Sequence, residues 1–213
     1  MKVYKFLDSK FGMKSILERR LKISRINELN DPFELFPYDI SDRNHRFAIY
    51  ATKNYLNQTN GVLCFSGNWQ NPVLWAHYSD KHYGLCIEFE VPDNDGTEND
   101  RFTKVRYVSY RRPFPQSPTI KDSTDMLFTK FSSWQYEDEV RALLTLKDEV
   151  DGLYYADFSE ILKPTKVIVG LRCTLSQSDV INALGSMTSQ VDVIKARAGF
   201  KEFKIVKDER GFR

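Results

Sequence analysis

The sequence predicts a single α+β domain over residues 1–213, with short mixed and antiparallel strands in a split sheet and several helices against it. Three observations predict it. Short apolar runs separated by polar turns recur along the whole chain, and helical periodicity fills only a few of the gaps. Strands and helices do not alternate regularly, which argues against a repeated β-α-β array. The chain has 213 residues, 41% of them hydrophobic, and can bury one core without disulfide or metal staples.

Residues 3–7 read as a first strand. Asp8 or Ser9 caps a following helix whose apolar face is Phe11, Ile16, Leu17 and Leu21. Residues 21–26 read as a second strand. Asn30-Asp31-Pro32 is a turn, because the residue before proline avoids the helical region. With Glu34 it is either ordinary turn chemistry or a functional loop. Ser41 and Asp42 start a helix that runs to about Asn57. Asn60-Gly61 reads as a turn, and GVLCFS after it as a buried strand. Asn71 and Pro72 open a helix, PVLWAHYSDKH, that ends near Gly84.

Residues 84–91 alternate as a strand, with Leu85, Ile87 and Phe89 on one face and Cys86, Glu88 and Glu90 on the other. Residues 92–100 are a polar loop, and 101–110 another strand before the proline-rich RRPFPQSP. A helix is expected over 122–131, a strand over 140–146 and a buried strand in TKVIVG after Pro164. Ser176 or Ser178 caps a helix to Leu184, and strands at 191–195 and 203–206 close the chain.

No apolar run reaches the roughly 20 residues of a membrane span, and the first residues lack a signal-like apolar stretch, so no membrane partner is expected. Cys64, Cys86 and Cys173 are odd in number and widely spaced, which suits a reducing cytoplasm. The net charge of +2 is uneven: residues 1–30 carry +5, residues 195–213 carry +4 and the middle −7. Basic ends that meet in space would make a patch for phosphates; otherwise they are two solvated surfaces.

The candidate chemistry centres on Lys130 to Arg141, KFSSWQYEDEVR. Read as a strand, it puts Glu137, Glu139 and Arg141 on one face and Val140, Ala142, Leu144 and Leu146 on the other, with Trp134 and Tyr136 beside them. Two ionised carboxylates held by a guanidinium can stabilise a cationic transition state, or can be a surface ion-pair ladder of little energetic weight. His77 and His82, five apart on one predicted helix, do not converge, so no metal is expected. Trp75, His77 and Tyr78 are either a core edge or part of a site. There is no glycine-rich phosphate loop and no nucleophile elbow.

Six fragments in order resemble the bacterial domain-of-unknown-function family numbered twenty-nine seventy-one: VYKF, LNDPFE, GVLCFS, LWAHYSDKHYGLCIEF, KFSSWQYEDEVR and KVIVG. More distantly, the early strand–helix–strand and the late Glu-Asp-Glu resemble the ADP-ribosyltransferase plan. That second resemblance implies NAD as substrate, Glu139 on the ribose 2′-hydroxyl and Glu137 as base toward an acceptor. It implies Tyr4, Lys5, Ser66, Trp75, His77, Tyr78, Tyr136 and Arg141 around the cofactor, with Tyr4 and Lys5 where a His or Arg would stand and Cys64-Phe65-Ser66 in place of Ser-Thr-Ser. The expectation is a cytoplasmic transferase, a toxin or phage-defence effector, with a nucleic-acid or protein acceptor and an antitoxin or other protein partner. Two alternatives stand beside it: a non-catalytic module that binds nucleic acid or protein through basic termini, and a metal-independent nucleotide hydrolase.

Overall fold

Side-chain caps at Asp8, Asp42, Asn71, Thr119 and Ser176 start α-helices. The computed structural model describes residues 1–93 and 101–212, so most of the loop expected at 92–100 lies outside the described residues. In chain order the elements are β1 (Lys2–Leu7), α1 (Ser9–Glu18), β2 (Arg20–Arg25), α2 (Arg43–Thr59), β3 (Asn60–Ser66), α3 (Pro72–Tyr78) and β4 (Leu85–Glu90). They continue as β5 (Phe102–Lys104), β6 (Arg106–Val108), α4 (Ile120–Leu127), β7 (Thr129–Phe131), β8 (Glu139–Thr145) and β9 (Tyr154–Asp157). The last four are β10 (Lys163–Val169), α5 (Gln177–Leu184), β11 (Asp192–Ala198) and β12 (Ile205–Lys207). The expected α+β class, with mixed strand pairing and several helices, is what forms. Two compact units can be distinguished: residues 1–21, 65–93 and 156–212, and residues 22–64 with 101–155.

In the first unit the strand order is β12-β11-β10-β4-β1. β10 runs parallel to β11 and antiparallel to β4, and β4 is antiparallel to β1. β10 is thus an interior strand, as its apolar run requires. Leu85, Cys86, Ile87 and Phe89 of β4 are all fully enclosed, so both faces of that strand are covered. β4 and β10 stand between β1 and β11, so the two basic ends of the chain do not abut in this sheet.

Several expected boundaries move, each for a local reason. Asp8 caps α1 by accepting from the Phe11 amide at 2.8 Å. The buried face of α1 is Gly12 and Ile16, one turn apart, whereas Phe11 and Leu17 are 57% and 61% exposed. Leu21 lies beyond the helix, buried in β2. α3 stops at Tyr78 because Asp80, Lys81 and His82 take left-handed φ values of 43°, 52° and 75°. His77 and His82 therefore do not share a helix. His82 instead folds back so that its ring stacks on Trp75, 6.5 Å between centroids. Gly84 ends this turn where a Cβ would sit 2.1 Å from the Leu7 carbonyl oxygen.

In the second unit β3 pairs antiparallel with β2 and lies beside β8, whose other neighbour is β5. β8 is thus interior too. Parallel β6 and β7 make a separate ribbon. The predicted turn at Asn60-Gly61 is absent: β3 begins where α2 ends, and Gly61 serves close packing against Ile23 and the Ser24 carbonyl. The strand expected over 101–110 breaks at Val105, whose amide turns to the Glu139 carbonyl. The helix expected over 122–131 starts earlier, under a Thr119–Asp122 capping box, and its last predicted residues form β7. β9 has no counterpart among the expected strands. The core joins Ile26, Leu35, Tyr38, Ile49, Val62, Met126 and Leu127.

Replacing Gly84 by alanine forces a Cβ against backbone that cannot move cheaply, and overpacking of this kind costs about 1–3 kcal/mol. Thermal unfolding of Gly84→Ala should show a clear loss, whereas Gly152→Ala, with open space around its Cβ position but φ of 77°, should lose only the smaller cost of a left-handed alanine.

Candidate functional site

β8 carries the centre of the site. Glu139 and Arg141 are two apart on the strand, so both project from the same face. Arg141 is completely buried, and its five N–H donors meet five acceptors. Nε donates to Glu139 Oε1 at 2.7 Å and Nη2 to Glu139 Oε2 at 3.0 Å. Nη2 and Nη1 also donate to the two oxygens of Glu34 at 2.7 and 3.0 Å. The last donor reaches the Leu127 carbonyl at 2.7 Å.

Lys130, near the start of the same sequence stretch, adds a second cation. Its ammonium lies 2.6 Å from Glu137, 3.2 Å from Glu139 and 3.3 Å from Glu34. It also sits over the Trp134 ring, 4.8 Å from the centroid. All five charged residues are buried. Glu137 reaches the group by a route other than the one expected. Residues Ser132–Glu137 form a 3-10 turn and Asp138 is left-handed at φ 45°, so Glu137 precedes β8 and does not share a strand face with Glu139. The ion pairs are therefore neither an exposed ladder nor an open row of carboxylates.

Burial alone would push the Glu139 carboxyl up, but the Arg141 guanidinium and the Lys130 ammonium outweigh it and hold the group at about 2. Burial would likewise drag Lys130 down; Glu139, Glu34 and Glu137 override that and raise it. The Tyr107 hydroxyl accepts from the Glu139 amide at 2.8 Å, and burial pushes its pKa up to about 12.

The expected loop at 30–34 is part of this arrangement. The Asp31 carboxylate accepts from the Phe33 amide at 2.9 Å, which is the turn chemistry, while Glu34 is the residue that meets Arg141. Asn30 lies in the same loop. Tyr136 packs beside Trp134, ring centroids 6.1 Å apart.

Beside the cluster lies a cleft of about 290 Å³. Phe33, Phe36, Tyr110, Phe131, Thr129 and Lys130 are among the residues that line it, and Arg111 stands with its guanidinium over Phe33 at 5.6 Å. The sequence did not single out these aromatic residues or Arg111. Phe33 sits inside the flagged LNDPFE fragment and Arg111 inside the RRP run, but only the fold shows that both face one cleft.

The other candidates belong to the first unit. Tyr4 pairs across the sheet with Ser66 and Glu88, and burial together with Glu88 raises its phenol. Lys5 lies on β1 beside it. Trp75 is fully enclosed, edge-on to Phe6 at 5.2 Å, with its indole N–H on the Trp69 carbonyl. It is core and offers no face to a nicotinamide ring. His77 is exposed and meets Tyr78 edge-on at 6.0 Å. Among the described residues the three cysteines are free, and no helix is long and apolar enough to cross a membrane.

The depressed Glu139 carboxyl fixes an acid limb. Its native pKa of about 2 lies below the ordinary value of 4.5, so its stabilisation is complete above pH 4.5 and is lost as pH falls toward 2. On the order of 3 kcal/mol should disappear across that window in chemical denaturation. Glu139→Gln should flatten this limb and lower stability at pH 7, because Arg141 is left part-paired; an unchanged acid limb would remove Glu139 from that role.

No curated protein and no solved structure gives a significant match to the chain. Of the six fragments that suggested a family, two lie within the segment that a family model matches: 74–89 and 130–141, the latter with Lys130, Glu137, Glu139 and Arg141. That segment, residues 74–142, matches the model of the family described as protein of unknown function (DUF2971).

Proposed function

We propose that the cleft beside the charge cluster binds a nucleotide, and that the ligand is NAD in a transferase of the ADP-ribosyl type. The observation that carries the reading is the pairing of aromatic walls with a buried cluster of three carboxylates and two cations. Phe33, Phe36 and Phe131 provide faces for a planar ring, and Arg111 a cation for a phosphate.

The cluster's formal charges sum to −1, in surroundings where charges are poorly screened. Loss of nicotinamide leaves positive character on the ribose, and a fixed negative charge behind the cleft favours that state over the ground state. Lys130 is a member of the cluster that also lines the cleft, and Glu137, which pairs with it at 2.6 Å, is the carboxylate we assign to the reaction, because both Glu139 oxygens are held by Arg141. In this reading Glu139 and Glu34 are positioning residues that hold the lysine and the strand.

NAD binding by titration calorimetry and NAD consumption, with protein and nucleic-acid acceptors or water alone, test the reading. Phe33 is 61% exposed, so Phe33→Ala should leave the fold intact and weaken NAD binding on the order of tenfold. Glu137→Gln should lower turnover on the order of a hundredfold, the usual cost of one preorganised group. Release of free ADP-ribose to water would make the protein a hydrolase at the same site. Absence of NAD binding by the parent protein would end the NAD assignment.

A further inference from the structure

The basic end of the chain folds back on itself within the first unit. β11 pairs antiparallel with β12, and the chain after β12 returns so that the Asp208 amide donates to the Lys195 carbonyl at 2.7 Å. On the other side of β11, β10 ends with Val169 opposite Lys195. Residues 196–198 therefore run past the end of β10. A second pocket of about 290 Å³ lies beside this overhang, lined by Leu171, by residues 195–198 and by Asp208, Arg210 and Gly211.

The charged groups that line it do not balance. Lys195 and Arg197, two apart on β11, project from one face. With Arg210 they make three cations against the single carboxylate of Asp208, a net +2. The nearby acids do not cancel this excess, because Glu209 pairs with Lys207 at 3.2 Å and Glu202 with Lys204. Among the described residues no carboxylate lies within ion-pair distance of Lys195 or Arg197.

The cations are also held in place. The Lys195 ammonium donates to the Gly170 and Cys173 carbonyls at 2.8 and 2.7 Å. Burial pulls its pKa down, a cost that an anion beside it would offset. Arg197 donates to the Ala198 carbonyl at 2.8 Å, and its guanidinium lies over the Phe200 ring, 4.2 Å from the centroid. The Asp208 carboxylate accepts from the Arg210 amide at 3.1 Å and from Arg210 Nε at 3.4 Å. The terminal nitrogens of Arg210 have no acceptor among the described residues, and Arg197 uses one of its five N–H groups.

From this geometry we infer that the pocket between β11 and the 208–211 turn binds the phosphate group of a small phosphorylated molecule, with Arg197 and Arg210 donating to its oxygens and Lys195 adding charge. Charge and donor shape select this occupant. A phosphate monoester carries about −1.5 to −2 at neutral pH and meets the excess of +2, whereas a carboxylate leaves half of it unbalanced. A guanidinium fork matches two oxygens of one phosphate. The volume is near the lower end for small-molecule sites, which leaves room for a small organic group along Leu171 and Ala196. The inference does not depend on what the cleft of the second unit binds.

Titration of glycerol phosphate into the isotope-labelled full chain at low salt, followed by amide shifts and by calorimetry, tests it. The largest shifts should fall at residues 196–198 and 208–211. Glycerol should give none, and acetate should bind at least about tenfold more weakly. Arg197→Gln and Arg210→Gln should each weaken phosphate binding on the order of tenfold, the loss of one charge-assisted contact. Arg197→Lys should recover only part of that loss, because it restores the charge without the fork. The Phe200 ring is 83% exposed, so Phe200→Ala should leave the melting temperature unchanged and weaken binding about threefold by releasing the Arg197 guanidinium. The Arg210 side chain is 60% exposed, so Arg210→Gln should also melt like the parent. No phosphate binding, largest shifts outside those two segments, equal affinity for acetate, or parent-like affinity in both glutamine variants would each overturn the assignment.

Discussion

A fully buried guanidinium in an interior strand is the constraint on which the second unit depends. An unpaired charge there would cost several kcal/mol, so β8 can carry Arg141 only if other segments bring acceptors to it. They do so from three directions in sequence: Glu139 from the same strand, Glu34 from the 30–34 loop and the Leu127 carbonyl from the end of α4. The requirement ties the loop and the helix end to the sheet in addition to the apolar contacts that Leu35, Met126 and Leu127 make in the core. Lys130 completes the arrangement, because its ammonium takes up the carboxylate capacity that Arg141 leaves on Glu34 and Glu139 and draws in Glu137.

Such a cluster is an expensive way to stabilise a fold. Well-packed hydrophobic residues of similar volume are often as good or better. Its persistence beside a cleft with aromatic walls makes a positioning role the economical explanation, since a rigid set of charges at a water-poor site can favour one charge distribution in a ligand over another.

Much of this was legible in the sequence. Asp8, Asp42, Asn71 and Ser176 announce four helices because side-chain caps are local chemistry. The apolar runs of β3, β4, β8 and β10 announce buried strands for the same reason of period and content. The stretch around Lys130 to Arg141 stood out, and Glu34 was flagged with its loop. What failed was set by tertiary contact. Asn60-Gly61 looks like a turn, but there the glycine serves close approach. Trp75 looks like a ligand platform but is entirely enclosed. Glu137 looks like a strand residue, yet a 3-10 turn and a left-handed Asp138 bring it to Lys130 by another path. The cleft could not be read at all, because Phe33, Tyr110 and Phe131 are far apart in sequence and meet only in the folded unit.

The central claim is that Glu34 and Arg141 are energetically coupled across 107 residues of chain rather than merely adjacent. A double-mutant cycle with Glu34→Gln and Arg141→Met, read by urea unfolding at neutral pH, measures that coupling directly. The account predicts single variants that each lose about 3–5 kcal/mol and a coupling term above about 1.5 kcal/mol, because the second loss removes a charge already stranded by the first. Additive losses within about 0.5 kcal/mol would contradict it, and would reduce the cluster to neighbouring charges with no shared role in holding the site.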